Sequence, residues 1–180
     1  MPASDPFLEL LDEERAAGEV VARLRERALR QAAEEGATLA GLLIDLAERG
    51  AQVVVHTEAG TAHQGRLVAV GADYVVVRTE GGSEPHLRLD TLESVRLQRA
   101  ERHGRPDGDR RPLVDLRLVE VLGRVVEERP RVVLRTRGGQ RVAGELRSVG
   151  ADVVTLVLDG ERDQACCVPA AAIAEAVVDQ

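Results

Sequence analysis

The sequence predicts a mainly β protein with helices, built from one unit made twice behind an N-terminal amphipathic helix. Three observations carry this. The chain aligns with itself at an offset of 79 residues without a gap. Residues 53–60 fall on 132–139 and 65–73 on 144–152, and 11 of the 25 positions from Val53 to Val77 are identical. A repeat of this kind is one structural unit written twice. Each copy then shows short runs of alternating apolar and polar residues punctuated by glycine, the pattern of half-buried strands. Ahead of the strands each copy carries apolar residues at helical spacing: Leu39, Leu42, Leu43, Leu46 and Ala47, and 79 positions on Leu118, Val121, Leu122, Val125 and Val126.

The order along the chain is a helical segment over 1–37, a first unit over 38–97, a linker over 98–112 and a second unit over 113–180. Asp5 and Pro6 suit a helix start. Phe7, Leu11, Val21, Leu24, Ala28 and Ala32 form a rough apolar stripe that ends at Gly36, and Gly18 marks a weak point in its middle. The stripe fits packing against the body, or a helix pair between two chains. Thr38 caps the next helix, which stops near Gly50, and Pro130 closes its second copy.

In the first strand of each unit Val53, Val55 and Thr57, and Val132, Leu134 and Thr136, form the inward set. Ala59-Gly60 and Gly138-Gly139 turn each hairpin. Gly65 and Gly144 fall inside the second strand, where glycine permits a sharp bend or a close backbone approach. A Val-Gly-Ala-Asp turn follows in both copies, then apolar strands over 74–78 and 153–158. Short fourth strands over 87–89 and 166–168 come next, and fifth elements over 92–97 and 173–178. Residues 98–112 hold Gly, Pro and mixed charge with almost nothing to bury.

A helix and five short strands with a glycine-marked second strand resemble the Sm-like fold of the Sm, LSm and Hfq proteins. The residues that carry the likeness are Val53-x-Val55, Gly60, Gly65-x-Leu67, Asp73 and Val75-x-Val77, and in the second copy Val132-x-Leu134, Gly139, Gly144-x-Leu146, Asp152 and Val154-x-Leu156. The resemblance spans 38–97 and 117–178 and implies two tandem Sm-like five-stranded β-barrels, each preceded by a helix. The layout also resembles uncharacterised actinobacterial proteins, some labelled transcription regulators. The functional motifs of the family do not carry over. No Asn follows Asp73 or Asp152. The region of the family's Arg-Gly signature reads Leu87-Arg88-Leu89-Asp90 in one copy and Cys167-Val168-Pro169 in the other, and the Tyr-Lys-His signature of Hfq is missing.

Composition narrows the function. Aromatics are 1% of the chain, so stacking on bases or sugars has almost no platform. A net charge of −7 repels phosphate and disfavours broad nucleic-acid binding. Residues 1–50 hold 6 Arg against 11 acidic residues, whereas Arg131, Arg135, Arg137, Arg141 and Arg147 cluster in the second copy. No apolar run reaches membrane-spanning length and no signal peptide opens the chain, so a cytoplasmic protein is expected. The adjacent Cys166 and Cys167 fit a reduced compartment, one thiol buried and one exposed.

Three histidines, His56, His63 and His86, lie in the first copy without partners at metal-ligand spacing, and surface histidines are expected. Asp73 and Asp152 read as turn residues. No nucleophile, phosphate-loop or zinc-helix motif is present. The expectation is therefore a non-enzyme with no metal and no cofactor. Arg135, Arg137 and Arg141 are the candidate contact, since arginine forks onto phosphate or carboxylate. Two readings follow. One is an Sm-like regulatory protein that touches RNA or DNA weakly through this hairpin, the other a protein–protein assembly module whose arginines meet acidic helices of the same or a neighbouring chain. Open strand edges predict a homo-oligomer, a dimer being favoured.

Overall fold

The computed structural model describes residues 6–98, 114–160 and 164–179. It is mainly β, with three α-helices. Helix α1 (Pro6–Glu35) is followed by α2 (Leu39–Glu48) and strands β1 (Gln52–Thr57), β2 (Ala62–Val70), β3 (Tyr74–Thr79), β4 (His86–Arg88) and β5 (Leu92–Leu97). Then come α3 (Leu118–Val125), β6 (Arg131–Thr136), β7 (Arg141–Val149), β8 (Val153–Leu158), β9 (Ala165–Pro169) and β10 (Ile173–Asp179). The first three strands of the two units keep the offset of 79. From the 3-10 turns Leu89–Thr91 and Ala170–Ala172 onward the offset is 81. The interval at 98–112 lies, apart from Gln98, outside the described residues.

The two units are not two separate closed barrels. All ten strands form one open antiparallel sheet in the order β5-β1-β2-β3-β4-β10-β6-β7-β8-β9. The expectation failed because it treated each unit alone. The outer edge of β4 and that of β10 would both be bare, and pairing them satisfies backbone groups that exposed edges leave open. The register there is Glu175 opposite Leu87 and Ala176 opposite His86.

Helix α2 starts and stops where its residues dictate. Thr38 Oγ1 accepts the Gly41 N–H at 3.0 Å. At the far end Ala51 N–H bonds Leu46 O and Gly50 N–H bonds Ala47 O, with Gly50 at φ +58. In the second unit the same left-handed position is filled by Arg129 at φ +47, the one non-glycine with positive φ among the described residues. Glycine inside the second strand has the expected cause. A Cβ on Gly65 would sit 2.2 Å from Arg78 O, and one on Gly144 2.0 Å from Val157 O. Two to four residues further on, the register of β2 with β3 shifts between Leu67 and Ala69, and that of β7 with β8 between Leu146 and Ser148.

The described residues form two apolar cores. One gathers Leu43, Leu46, Val53, Val55, Leu67, Val75, Val77 and Leu87. The other gathers Leu118, Leu122, Val132, Leu134, Leu146, Leu156 and Ile173, and it also takes Tyr74, Val76 and Val68 from the first unit. Strand β3 is therefore buried on both faces, one toward each core. Helix α1 passes through Gly18 unbroken. Its apolar residues with described side chains, Val20, Val21, Leu24 and Leu29, are exposed, so this part of the stripe is not packed against the body. No helix among the described residues is long and apolar enough to cross a membrane.

Candidate functional site: the joint between the two units

The polar chemistry of the molecule converges where β4 meets β10. Thr57, Thr91 and Glu175 are the buried polar residues among those described, and all three lie at this joint. Glu175 is only 5% exposed. It sits just after a register shift between Ile173 and Glu175 that re-aims the strand. Its Oε2 accepts from Thr61 Oγ1 at 2.9 Å and lies 2.7 Å from His63 Nε2, and its Oε1 accepts from Arg135 Nε at 2.9 Å. The one proton of the Thr61 hydroxyl goes to Glu175, so the 2.7 Å contact between Thr57 and Thr61 has Thr57 as donor. Every buried side-chain nitrogen and oxygen among the described residues has a partner.

Burial pushes the Glu175 carboxyl upward. The hydrogen bond and charge of His63, with the bonds from Thr61 and Arg135, outweigh burial and hold the group below its ordinary value. Asp90 behaves alike: desolvation raises it, and Arg88 and Arg137 together bring it lower. His86, bonded to Glu84 O and stacked near Tyr74 at 5.5 Å between ring centres, is lowered by desolvation.

Arg137 ties the units from the other side. Its Nη1 donates to Glu58 Oε1 at 2.9 Å, its Nη2 reaches Asp90, and its Nε donates to Ala171 O at 2.9 Å. Arg88 answers from the first unit by donating to Ala170 O at 3.3 Å and pairing with Asp90. A third tie is the Asp73 carboxylate, which accepts the Leu118 N–H at 2.7 Å and so caps the start of α3. Asp73 was expected to serve its own turn; its carboxylate instead serves the neighbouring unit.

Of the three candidate arginines the joint takes two. Arg135 and Arg137 bond carboxylates at the joint, on β10, on the first hairpin turn and on the 3-10 turn, rather than on a helix. Arg141, opposite Arg135 in the hairpin, is exposed and has no ion pair among the described residues. His56, His63 and His86 are all half-buried rather than on the surface. No group of three or more His, Cys, Asp or Glu side chains that could hold a metal ion occurs among the described residues. Cys166 is half-buried and Cys167 exposed.

Thr61, His63 and Glu175 resemble the parts of a nucleophilic triad but are not wired as one. A triad places the imidazole between acid and hydroxyl, one nitrogen to each. Here the same Nε2 faces both, at 2.7 Å from Glu175 and 3.2 Å from Thr61, and the hydroxyl proton goes to the acid. The chemistry available is that of a satisfied structural network. Sequence reasoning missed Glu175, whose only signal was a lone acid inside the apolar run Ile173-Ala174-Glu175-Ala176-Val177. Compared with known protein families and with curated proteins, the chain matches none of them.

Proposed function

We propose that this protein is a non-enzymatic assembly module: two Sm-like units fused edge to edge, whose remaining edges join it to further protein. The Sm-like reading is supported by the strand order within each half, β5-β1-β2-β3-β4 and β10-β6-β7-β8-β9, and by the register shift in the second strand of each. The observation that carries the assembly reading is the use of Arg135 and Arg137. Both are committed to carboxylates in the joint, which leaves Arg141 alone of the three for a phosphate. A net charge of −7 opposes such a contact further.

Light scattering across a concentration series, paired with titration of single- and double-stranded RNA and DNA, tests this. The expected result is a mass above the 19.4 kDa of one chain, with no nucleic-acid binding at physiological salt. A monomer throughout, together with salt-dependent nucleic-acid binding lost in the triple change Arg135→Ala, Arg137→Ala, Arg141→Ala, would establish the regulatory nucleic-acid reading instead.

A further inference from the structure

Helix α1 runs unbroken over 30 residues, Pro6–Glu35, and each of its described side chains is exposed. Val20, Val21, Leu24 and Leu29 are between 45% and 73% exposed. Helices in proteins draw most of their stability from packing an apolar face, and this face is unpacked in the single chain. The opposite side is satisfied within the helix. Arg23 pairs with Glu19 at 2.9 Å and Arg30 with Glu26 at 3.2 Å, all four turned away from Val21. Arg25, on the side of Val21, has no ion pair among the described residues. Gly18 is the odd residue. Glycine weakens a helix interior, and a Cβ at Gly18 would meet nothing within 4 Å, so the single chain gives no reason for it.

The charges of the helix run in two blocks. Residues 6–19 hold Glu9, Asp12, Glu13, Glu14 and Glu19 against Arg15, and residues 20–32 hold Arg23, Arg25, Arg27 and Arg30 against Glu26. A parallel helix of the same sequence would set like charges together, whereas a reversed one sets opposite charges together. Reversal also matches sizes. With position 19 level with position 20 of a second copy, 7 falls opposite 32, 11 opposite 28, 14 opposite 25 and 18 opposite 21. Those pairs are Phe with Ala, Leu with Ala, Glu with Arg and Gly with Val. Each larger apolar residue meets a small one, and the one charged pair carries opposite signs. The positions 7, 11, 14, 18, 21, 25, 28 and 32 step by four and three in turn, the spacing that keeps a seam facing its partner along a helix pair.

We propose that α1 pairs with α1 of a second copy of this chain, antiparallel, with a two-fold axis between residues 19 and 20. This goes beyond the edge-joined assembly, since it uses neither end of the sheet. The overlap over 7–32 is about 39 Å long. Gly18 lies beside the axis, where its missing side chain leaves room for Val21 of the second copy. Arg25 takes Glu14 of the second copy as its partner, and the exposed valines and leucines gain cover. The contact is isologous, so it closes at two chains.

The test uses the full chain with Cys166→Ser and Cys167→Ser. Leu11→Cys and Ala28→Cys are added singly and together, and each protein is oxidised by copper phenanthroline and run on a denaturing gel without reductant. The expected result is a dimer band from the double variant and none from either single one, because only the antiparallel register brings 11 and 28 together. Dimers from the single variants overturn the antiparallel arrangement, and no dimer from any of the three overturns the helix pair. Analytical ultracentrifugation of the otherwise wild-type chain adds a second readout. Gly18→Leu, which has room in the single chain, should raise the dissociation constant about tenfold or more. Arg25→Glu should raise it about tenfold, since two pairs per dimer reverse sign, and Glu14→Arg made together with Arg25→Glu should restore it. A dissociation constant indifferent to Gly18→Leu, or a double change no tighter than Arg25→Glu alone, overturns the register. Self-association that all these changes leave untouched, with no cross-link, overturns the helix pair while leaving assembly through the sheet edges standing.

Discussion

Glu175→Gln should destabilise the whole sheet, because one carboxylate serves both units. Three donors converge on it, from Thr61, His63 and Arg135. An amide of the same size keeps one acceptor and turns an NH2 toward a former donor. Hydrogen bonds to a buried charge are worth about 1.5–3 kcal/mol each, and breaking a buried pair costs about 3–5 kcal/mol. Side-chain exposures of 16% at His63 and 28% at Arg135 let water recover part of that. A loss of about 2–3 kcal/mol follows. With a urea dependence of about 2 kcal/mol/M for a domain of this size, the unfolding midpoint should fall by about 1–1.5 M. Circular dichroism during urea titration reads this directly. His63→Gln made alone and with Glu175→Gln should show coupling of about 1 kcal/mol or more. A midpoint shift below about 0.25 M would refute the reasoning, since it would mean that the carboxylate contributes no more than an exposed pair.

Further outcomes follow from other places in the fold. Stability should fall in acid in two stages. His86 is lowered by burial, so its contribution is complete above its ordinary 6.5 and fades below it. Glu175 and Asp90 are held below their ordinary 4.5 and 3.8, so theirs is complete above those values and is lost as the pH drops through the lower folded ones. Urea midpoints against pH should show both stages, and Glu175→Gln should flatten the second. Gly144→Ala, whose added carbon would meet a backbone carbonyl, should cost about 3 kcal/mol and lower the melting temperature by about 6–12 °C, with Gly65→Ala close behind. Arg129→Gly should raise stability by about 0.5–1 kcal/mol in the same melt, since it relieves a left-handed arginine and loses only a long surface pair to Glu145.

Local signals in the sequence determined the units. The offset of 79, the apolar spacing ahead of each set of strands, the Thr38 cap and the buried glycines each act within a few residues or across one hairpin, so pattern alone placed them. Gly65 and Gly144 were legible because only glycine tolerates a carbonyl at that distance. What lay between the units was not legible. The pairing of β4 with β10 joins residues 87 and 175, and nothing local announces it. The arginines were visible as a cluster, but their partners Glu58, Asp90 and Glu175 are scattered along the chain and meet only when the sheet forms. Glu175 went unread, because a lone acid in a strand carries no local mark of burial until the fold supplies its donors. A repeat specifies each copy's own contacts twice. Which copy's edge is covered, and which is left bare, depends on surfaces far apart in sequence, and only the tertiary structure decides it.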